Sequence, residues 1–469
     1  MDQKKITGLT LREITKRAKS GSIAPEAIVQ TYLEKIDQQE PDINAFITVT
    51  GDLAKEQAVR LEAYSEDQRS QNPLYAAPIA IKDLRQGKEG VRHTMGSKLI
   101  DELGYTSPET SPVVQRLEEA GAVIIGKTNT PEFGHKGMTD NNLIGPTASP
   151  VDQSLNAGGS SGGSAAAVGA GMAAAAIGSD AGGSIRIPAT LCGVFGLKPS
   201  YGLVPVKSRP NAFGKKMHHS VTGPITRTAE DAALVMDVIT GMHPRDPASV
   251  PVDISFLDAI EAGTSKLQVA YSPNLDVFEV DSEIQDVIES QIERLESGET
   301  HVDTVALDHG RDMQELTAVV EETFSVSLER AAETLRQSFN IDIRDYPDKV
   351  DDTLVSFIEK ADSVTTKDIA TSGIVRTELF DAVEDVFVDY DILLTPTLGN
   401  VDADINPSAA TEWERVLTWP FNWTGHPAAS VPVGTTEDGL PVGLQVIGPR
   451  YQDDLVLVAS KIVEENRSQ

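Results

Sequence analysis

The chain has 469 residues, 40% of them hydrophobic, and carries 71 acidic side chains against 40 Lys and Arg, a formal net charge of −31. Such a field repels nucleic-acid phosphates and anionic lipids, so neither is an expected partner. The single cysteine, Cys192, excludes an intrachain disulfide and offers no cysteine-based metal site.

The acids are spread along the chain ("DVFEVDSEIQDVIESQIERLESGE", "LFDAVEDVFVDYD") with no single acidic tail. That distribution reads as a solvated acidic coat, as expected of a halophilic protein from a high-salt cytoplasm. The N-terminal stretch "MDQKKITGLTLREITKRAKSGSIAPEA" has no apolar core of a secretory signal. The longest small apolar run, "AAAVGAGMAAAAIG", falls short of the roughly 18 residues that a membrane span needs. The expectation is a soluble cytoplasmic protein.

No linker, low-complexity tract or fixed-period repeat divides the chain, so residues 1–469 read as one large α/β domain. In chain order, Pro25 and Glu26 after a small polar stretch start a helix in "EAIVQTYLEKI". "APIAIKDL" (Ala77–Leu84) is a short buried strand ending on charge. "SPVVQRLEEA" reads as a helix and "AGAVIIGKTNT" as a second buried strand. From Ala165 the alanine-rich run suits a helix packed closely against a sheet. "TRTAEDAALVMDVITG" has a Thr cap, early acids and a closing Gly, again a helix. "YDILLTPT" and "LPVGLQVIG" are late core strands. Alternating strands and helices predict a central mixed sheet covered by helices on both faces. Residues from about 245 to 390 give no clear pattern.

The densest signal is "GGSSGGSAAAVGAGMAAAAIGSDAGGSIRIPA", Gly158–Ala189. Glycine collects where backbone takes positive φ or approaches something closely, so a small polar group is being surrounded by backbone here. A phosphate loop is excluded, because no Walker sequence opens a helix after a strand. Gly158–Gly162 does satisfy G-x-S-x-G, but the polar "SPVDQSLNA" before it is a poor strand for a nucleophile elbow, and His426 is its one motif-like histidine partner. A third reading joins the run to Lys82. Ala181, Gly182, Gly183 and Ser184 can turn several amides toward one point, the pattern of an oxyanion hole beside a serine nucleophile. The serine needs a base, and a desolvated neutral lysine serves. Moving a free lysine from about 10.4 to near 7 takes roughly 4 kcal/mol of unfavourable burial. Lys82, at the end of an apolar strand, is placed for it.

These motifs, with "GKTNTPEFG", "GPITRTAEDAALVMDVITG" and "GHPAASVPVG…GLPVGLQVIG" in the same order, resemble the amidase signature enzymes. The matching core runs from about residue 60 to 245, and about 245–390 is a variable region that shapes the substrate site. The resemblance implies a Ser-cisSer-Lys triad that maps to Ser184, Ser160 and Lys82, the two serines 24 positions apart, with a cis peptide before Ser160. It also implies an oxyanion hole from the amides of Ala181, Gly182, Gly183 and Ser184. Ala181 stands where many members carry Thr, which leaves the amide in place. Ser161 can support the triad or cap the following helix. Arg186 pairs with a buried Asp180, or else clamps a substrate carboxylate. Cys192, in "ATLCGVFG", reads as inert packing. His135 and the pair His218-His219 have no zinc-like spacing, so neither a metal nor a cofactor is expected.

Two activities fit. One is a stand-alone hydrolase that splits a small-molecule carboxamide into acid plus ammonia or amine through a Ser184 acyl-enzyme. The other is the glutaminase component of a tRNA-dependent amidotransferase. In those components an acidic residue seven positions before an "NLAGLP" segment holds the glutamine ammonium, and a tyrosine-rich stretch precedes the late strands. Here the matching positions are Arg415 before Asn422, and "KDIATSGIVRTELFDAVEDVF" has no tyrosine. Both departures favour the hydrolase, while intact Lys82, Ser160 and Ser184 argue against a dead scaffold. A homodimer is left open. Pocket walls are expected after "GKTNTPEFGHKGMTDN", from the variable region and from "TWPFNWTGHP".

Overall fold

Pro78–Lys82 is buried along its whole length, as expected of a central strand with no polar face to spare. A computed structural model of the chain describes residues 6–213, 220–264, 267–298, 300–405 and 413–467. Its strands, in chain order, are β1 (Phe46–Val49), β2 (Pro78–Lys82), β3 (Val123–Thr128), β4 (Ala175–Asp180), β5 (Phe195–Lys198), β6 (Val221–Thr226), β7 (Gln268–Tyr271), β8 (His301–Thr304), β9 (Ile392–Pro396), β10 (Ala428–Thr435) and β11 (Pro441–Ile447). All join one mixed sheet in the order β1-β3-β2-β4-β6-β5-β10-β11-β9-β7-β8. Helices flank it, so the single α/β domain expected from the sequence is what the chain forms.

The predicted helices follow their local signals. Pro25 opens Pro25–Ile43, and the Thr228 hydroxyl accepts from the Asp231 amide to cap Ala229–Ile239. The alanine-rich run is different. It forms a short helix, Gly162–Gly169, and then β4, with the chain turned at Gly171 (φ +72°). Alanine tolerates both states, and it is the tertiary setting that decides. β4 is parallel to β2 on one side and antiparallel to β6 on the other, so both of its edges are paired.

Among its described residues the region without a pattern forms regular elements. It supplies β7 and β8 at one sheet edge and the helices Met313–Phe339, Asp352–Ala361 and Thr366–Val386. Met313–Phe339 starts on a capping box between Asp312 and Glu315. Its Leu328, Ala332 and Leu335 join Leu354, Ile358, Leu99 and Ile100 in a second, smaller apolar cluster beside the main core. No helix among the described residues is long and apolar enough to cross a membrane.

Candidate active site

β2 and β4 run parallel, with Ile81 opposite Ile177, so their carboxyl ends emerge side by side. This is the sheet edge where open α/β folds build ligand sites. β2 ends on Lys82, and β4 runs through Ser179 and Asp180 into the turn that carries Ser184. Ser160 follows a cis Gly159–Ser160 peptide at the start of the Gly162–Gly169 helix.

Lys82 Nζ lies 2.7 Å from Ser160 Oγ, 3.0 Å from Ser161 Oγ and 3.2 Å from Ser179 Oγ. Burial drives this lysine well below its ordinary pKa; Arg85 pushes the same way and Asp180 opposes. The adjacent carboxylate does not rescue its charge. Asp83 is ion-paired with Lys127 and accepts from the Thr94 amide (2.9 Å) and hydroxyl (2.6 Å). Lys82 is thus a buried amine among three hydroxyls. The Ser161 hydroxyl donates to Ser179 O and accepts from the Ser179 amide (both 3.2 Å), which ties the helix start to β4.

Asp180 is the keystone of the serine turn. It accepts from Arg186 Nε (3.0 Å) and Nη2 (3.1 Å), from Asn422 Nδ2 (2.8 Å), and from the amides of Gly183 (2.7 Å) and Ile185 (3.2 Å). Burial pushes its carboxyl up, but Arg186 and these donors win and hold it down at about 2. Arg186 spends its remaining donors on Thr418 O (2.8 Å), Gln445 Oε1 (2.6 Å) and Asn422 Oδ1 (2.6 Å). It is fully buried in this pair, and the substrate-clamp alternative is set aside.

One expectation changes here. The Gly183 amide points back into Asp180, so it cannot also hold an oxyanion. The amides of Ala181, Gly182 and Ser184 have no such internal partner among the described residues. Gly183 is needed for shape: its φ is +132°, and a Cβ there would lie 2.0 Å from Thr418 Oγ1. Thr418 in turn donates to Gly182 O (2.7 Å).

Ser160, Ser179, Ala181 and Ser184 open onto a cleft of about 480 Å³. Its far wall is the Met313–Phe339 helix, through Phe324, Leu328 and Leu335 among others; Met95 and Phe133 lie on the near side. Of the three expected walls only the variable region is present: Phe133 and Gly134 lie within "GKTNTPEFGHKGMTDN", and none of residues 142–159 after it lines the cleft. The third is corrected: Trp419, Asn422 and Phe421 are buried behind the serine turn, because Asn422 is occupied with Asp180 and Thr418 with Gly182. Sequence reasoning missed Ser179, Arg85 and the Ser208–Asn211 rim. Ser179 was recoverable, two residues before Ala181, had the alanine run been read as a strand.

Arg415 is also corrected. It pairs with Asp281 (2.9 Å) and Glu279 (3.2 Å) and is not among the cleft-lining residues, so it sets no charge where a substrate sits. On an acidic surface an exposed guanidinium finds carboxylates first. Cys192 is buried, with its thiol pKa raised by desolvation. His135 bonds Glu132 O and Thr353 Oγ1, both at 2.7 Å, and His426 bonds Thr424 Oγ1 (2.8 Å) with Phe380 and Phe387 around it. Neither histidine bonds a catalytic candidate. His218-His219 lie outside the described residues, among which no three metal-ligating side chains gather.

The family model described as Amidase matches residues 27–457. An acylamidase of Rhodococcus erythropolis is 33% identical, over 97% of this chain and 95% of its own. A glutamyl-tRNA(Gln) amidotransferase subunit from Koribacter versatilis is 32% identical, over 93% and 94% respectively. Among solved structures, a bacterial aryl acylamidase of the amidase signature enzymes superposes with a TM-score of 0.90 at 33% identity, covering 98% of this chain and 96% of that one.

Proposed function

The chain belongs to the amidase signature family and is an amidase, and from that premise we propose that Ser184 is its nucleophile, Ser160 the proton relay and Lys82 the base. The observation that carries this reading is the buried amine of Lys82, without a carboxylate partner among the described residues, 2.7 Å from Ser160 Oγ. As Ser184 Oγ bonds to the amide carbon, its proton passes to Ser160, and Ser160 gives its own to Lys82. The oxyanion is held by the amides of Ala181, Gly182 and Ser184. The C–N bond then breaks as the proton returns through Ser160 to the departing nitrogen. Water enters by the same relay, the acyl–oxygen bond breaks, and the free acid leaves. Ser161 positions Lys82, and the Asp180–Arg186 pair holds the turn in shape.

The substrate we assign is an aryl or aliphatic amide, cleaved by this chain alone in the cytoplasm. The apolar wall of Met95, Phe133, Phe324 and Leu328 supports it, as does the likeness to an aryl acylamidase. The purified chain, assayed for ammonia or amine release on aryl, aliphatic and amino-acid amides, is expected to prefer an aryl or aliphatic amide to glutamine by about tenfold or more in kcat/KM. A preference for glutamine, or strong stimulation by an amidotransferase partner and tRNA, overturns this in favour of the glutaminase reading.

The halophilic reading has its own test. Among the described residues only Asp83, Glu132, Asp180, Asp231 and Asp453 are buried acids, so the other described acids are at least partly exposed. Screening relieves that self-repulsion. The Tm is expected to rise clearly between low salt and molar KCl, and an unmoved Tm removes the high-salt assignment.

A further inference from the structure

Arg85 follows β2 by three residues and lines the cleft that holds Ser160 and Ser184. One end of its guanidinium, Nη1, is buried without a hydrogen-bond partner, and no carboxylate pairs with it among the described residues. Across the cleft, on the Met313–Phe339 helix, Arg330 also has no carboxylate partner among the described residues; its one side-chain bond is to Ser327 Oγ, at 3.3 Å. Burial holds both below their ordinary range.

That is anomalous in a chain with 71 acids and 40 bases. Two turns away on the same helix, Arg336 engages Glu329, Glu333 and Asp342. Glu333 reaches the cleft rim but accepts from Arg336 (2.8 Å) and Gln337 (2.7 Å), so it does not neutralise Arg330. A buried donor left without an acceptor loses its hydration with nothing in return, and the loss is larger when the group is charged. A guanidinium fork is shaped for a planar two-oxygen anion.

We propose that the cleft selects amides that bear a carboxylate, received by Arg85 and Arg330 while the apolar wall takes the rest of the substrate. The acidic coat does not forbid this, since its field is screened beyond about 8 Å at physiological salt and the local cations decide. The inference rests on the amide-hydrolase reading and adds the charge of the substrate.

The test compares matched anilides: glutaranilic acid against valeranilide, which differ in a terminal carboxylate on the acyl side, and 4-acetamidobenzoate against acetanilide, which differ on the amine side. One of the two carboxylate partners is expected to exceed its neutral match by about tenfold or more in kcat/KM, chiefly through KM. Arg330→Gln and Arg85→Gln are each expected to lower that ratio at least several-fold, Arg330→Lys to keep part of it, and Arg330→Glu to bring it below one. Wild-type enzyme that cleaves the neutral anilides as fast as both charged ones overturns the inference and leaves the hydrolase reading standing. So does a ratio unmoved by every folded variant. Should a variant not fold, or should no anilide be cleaved, protection of Ser184 from a fluorophosphonate decides. Glutarate is expected to protect wild-type enzyme at lower concentration than valeramide, and equal or weaker protection overturns the inference.

Discussion

Replacing Ser184 with alanine is expected to lower kcat by about 10⁴-fold or more, with the Tm little changed and fluorophosphonate labelling lost. Ser184 is half-exposed at the cleft on a turn whose backbone is held by Asp180 through the Gly183 and Ile185 amides, so removing one hydroxyl leaves that scaffold intact. Among the described residues no other serine combines the cleft with the free amides of Ala181 and Gly182. Ser160 lines the same cleft, but its hydroxyl is committed to Lys82. Steady-state kinetics and mass spectrometry of the labelled protein check this. Activity retained above about one per cent, with the label moved to Ser160, reverses the two serine assignments.

Lys82→Arg is expected to be nearly as damaging as Lys82→Ala, each by several orders of magnitude, because a guanidinium keeps its proton throughout this pH range. The sign of the pH dependence follows from the same chemistry. The working form of Lys82 is the neutral amine, and burial first, then Arg85, moves its pKa well down. The rate of the acylation step should therefore rise with pH as Lys82 loses its proton and level off above its pKa. In wild-type enzyme with chemistry shown to be limiting, a profile that falls as pH rises through the neutral range contradicts lysine as the base. Arg85→Gln supplies an internal control, since removing a neighbouring cation should shift the rising limb to higher pH.

The serine turn was legible because its requirements are local. The positive φ at Gly183 calls for glycine whatever lies elsewhere in the chain, and a lysine closing the apolar Pro78–Lys82 run is placed to be desolvated. The use made of each polar group was not legible in the same way. The Gly183 amide and the Asn422 side chain both converge on Asp180 from opposite ends of the chain, which no spacing rule announces. The alanine run misled for a related reason: its alanines favour helix locally, yet Ala175–Ile177 became strand because β2 and β6 offered ladders on both sides.

By itself, then, the sequence determined the local pieces: a mixed α/β sheet, a lysine buried at a strand end, and two serines on glycine-rich backbone. These are properties of short segments, where side-chain size, φ and burial act on the residues that carry them. Only the tertiary structure decided the charge balance of the cleft and what walls it. Arg85 and Arg330 lie far apart in the chain and meet one cleft because the Met313–Phe339 helix packs over the serine turn, while Arg415 was drawn to Asp281 and Glu279 instead. A charged side chain takes its partner from whatever element packs beside it, and that neighbour is a product of the whole fold.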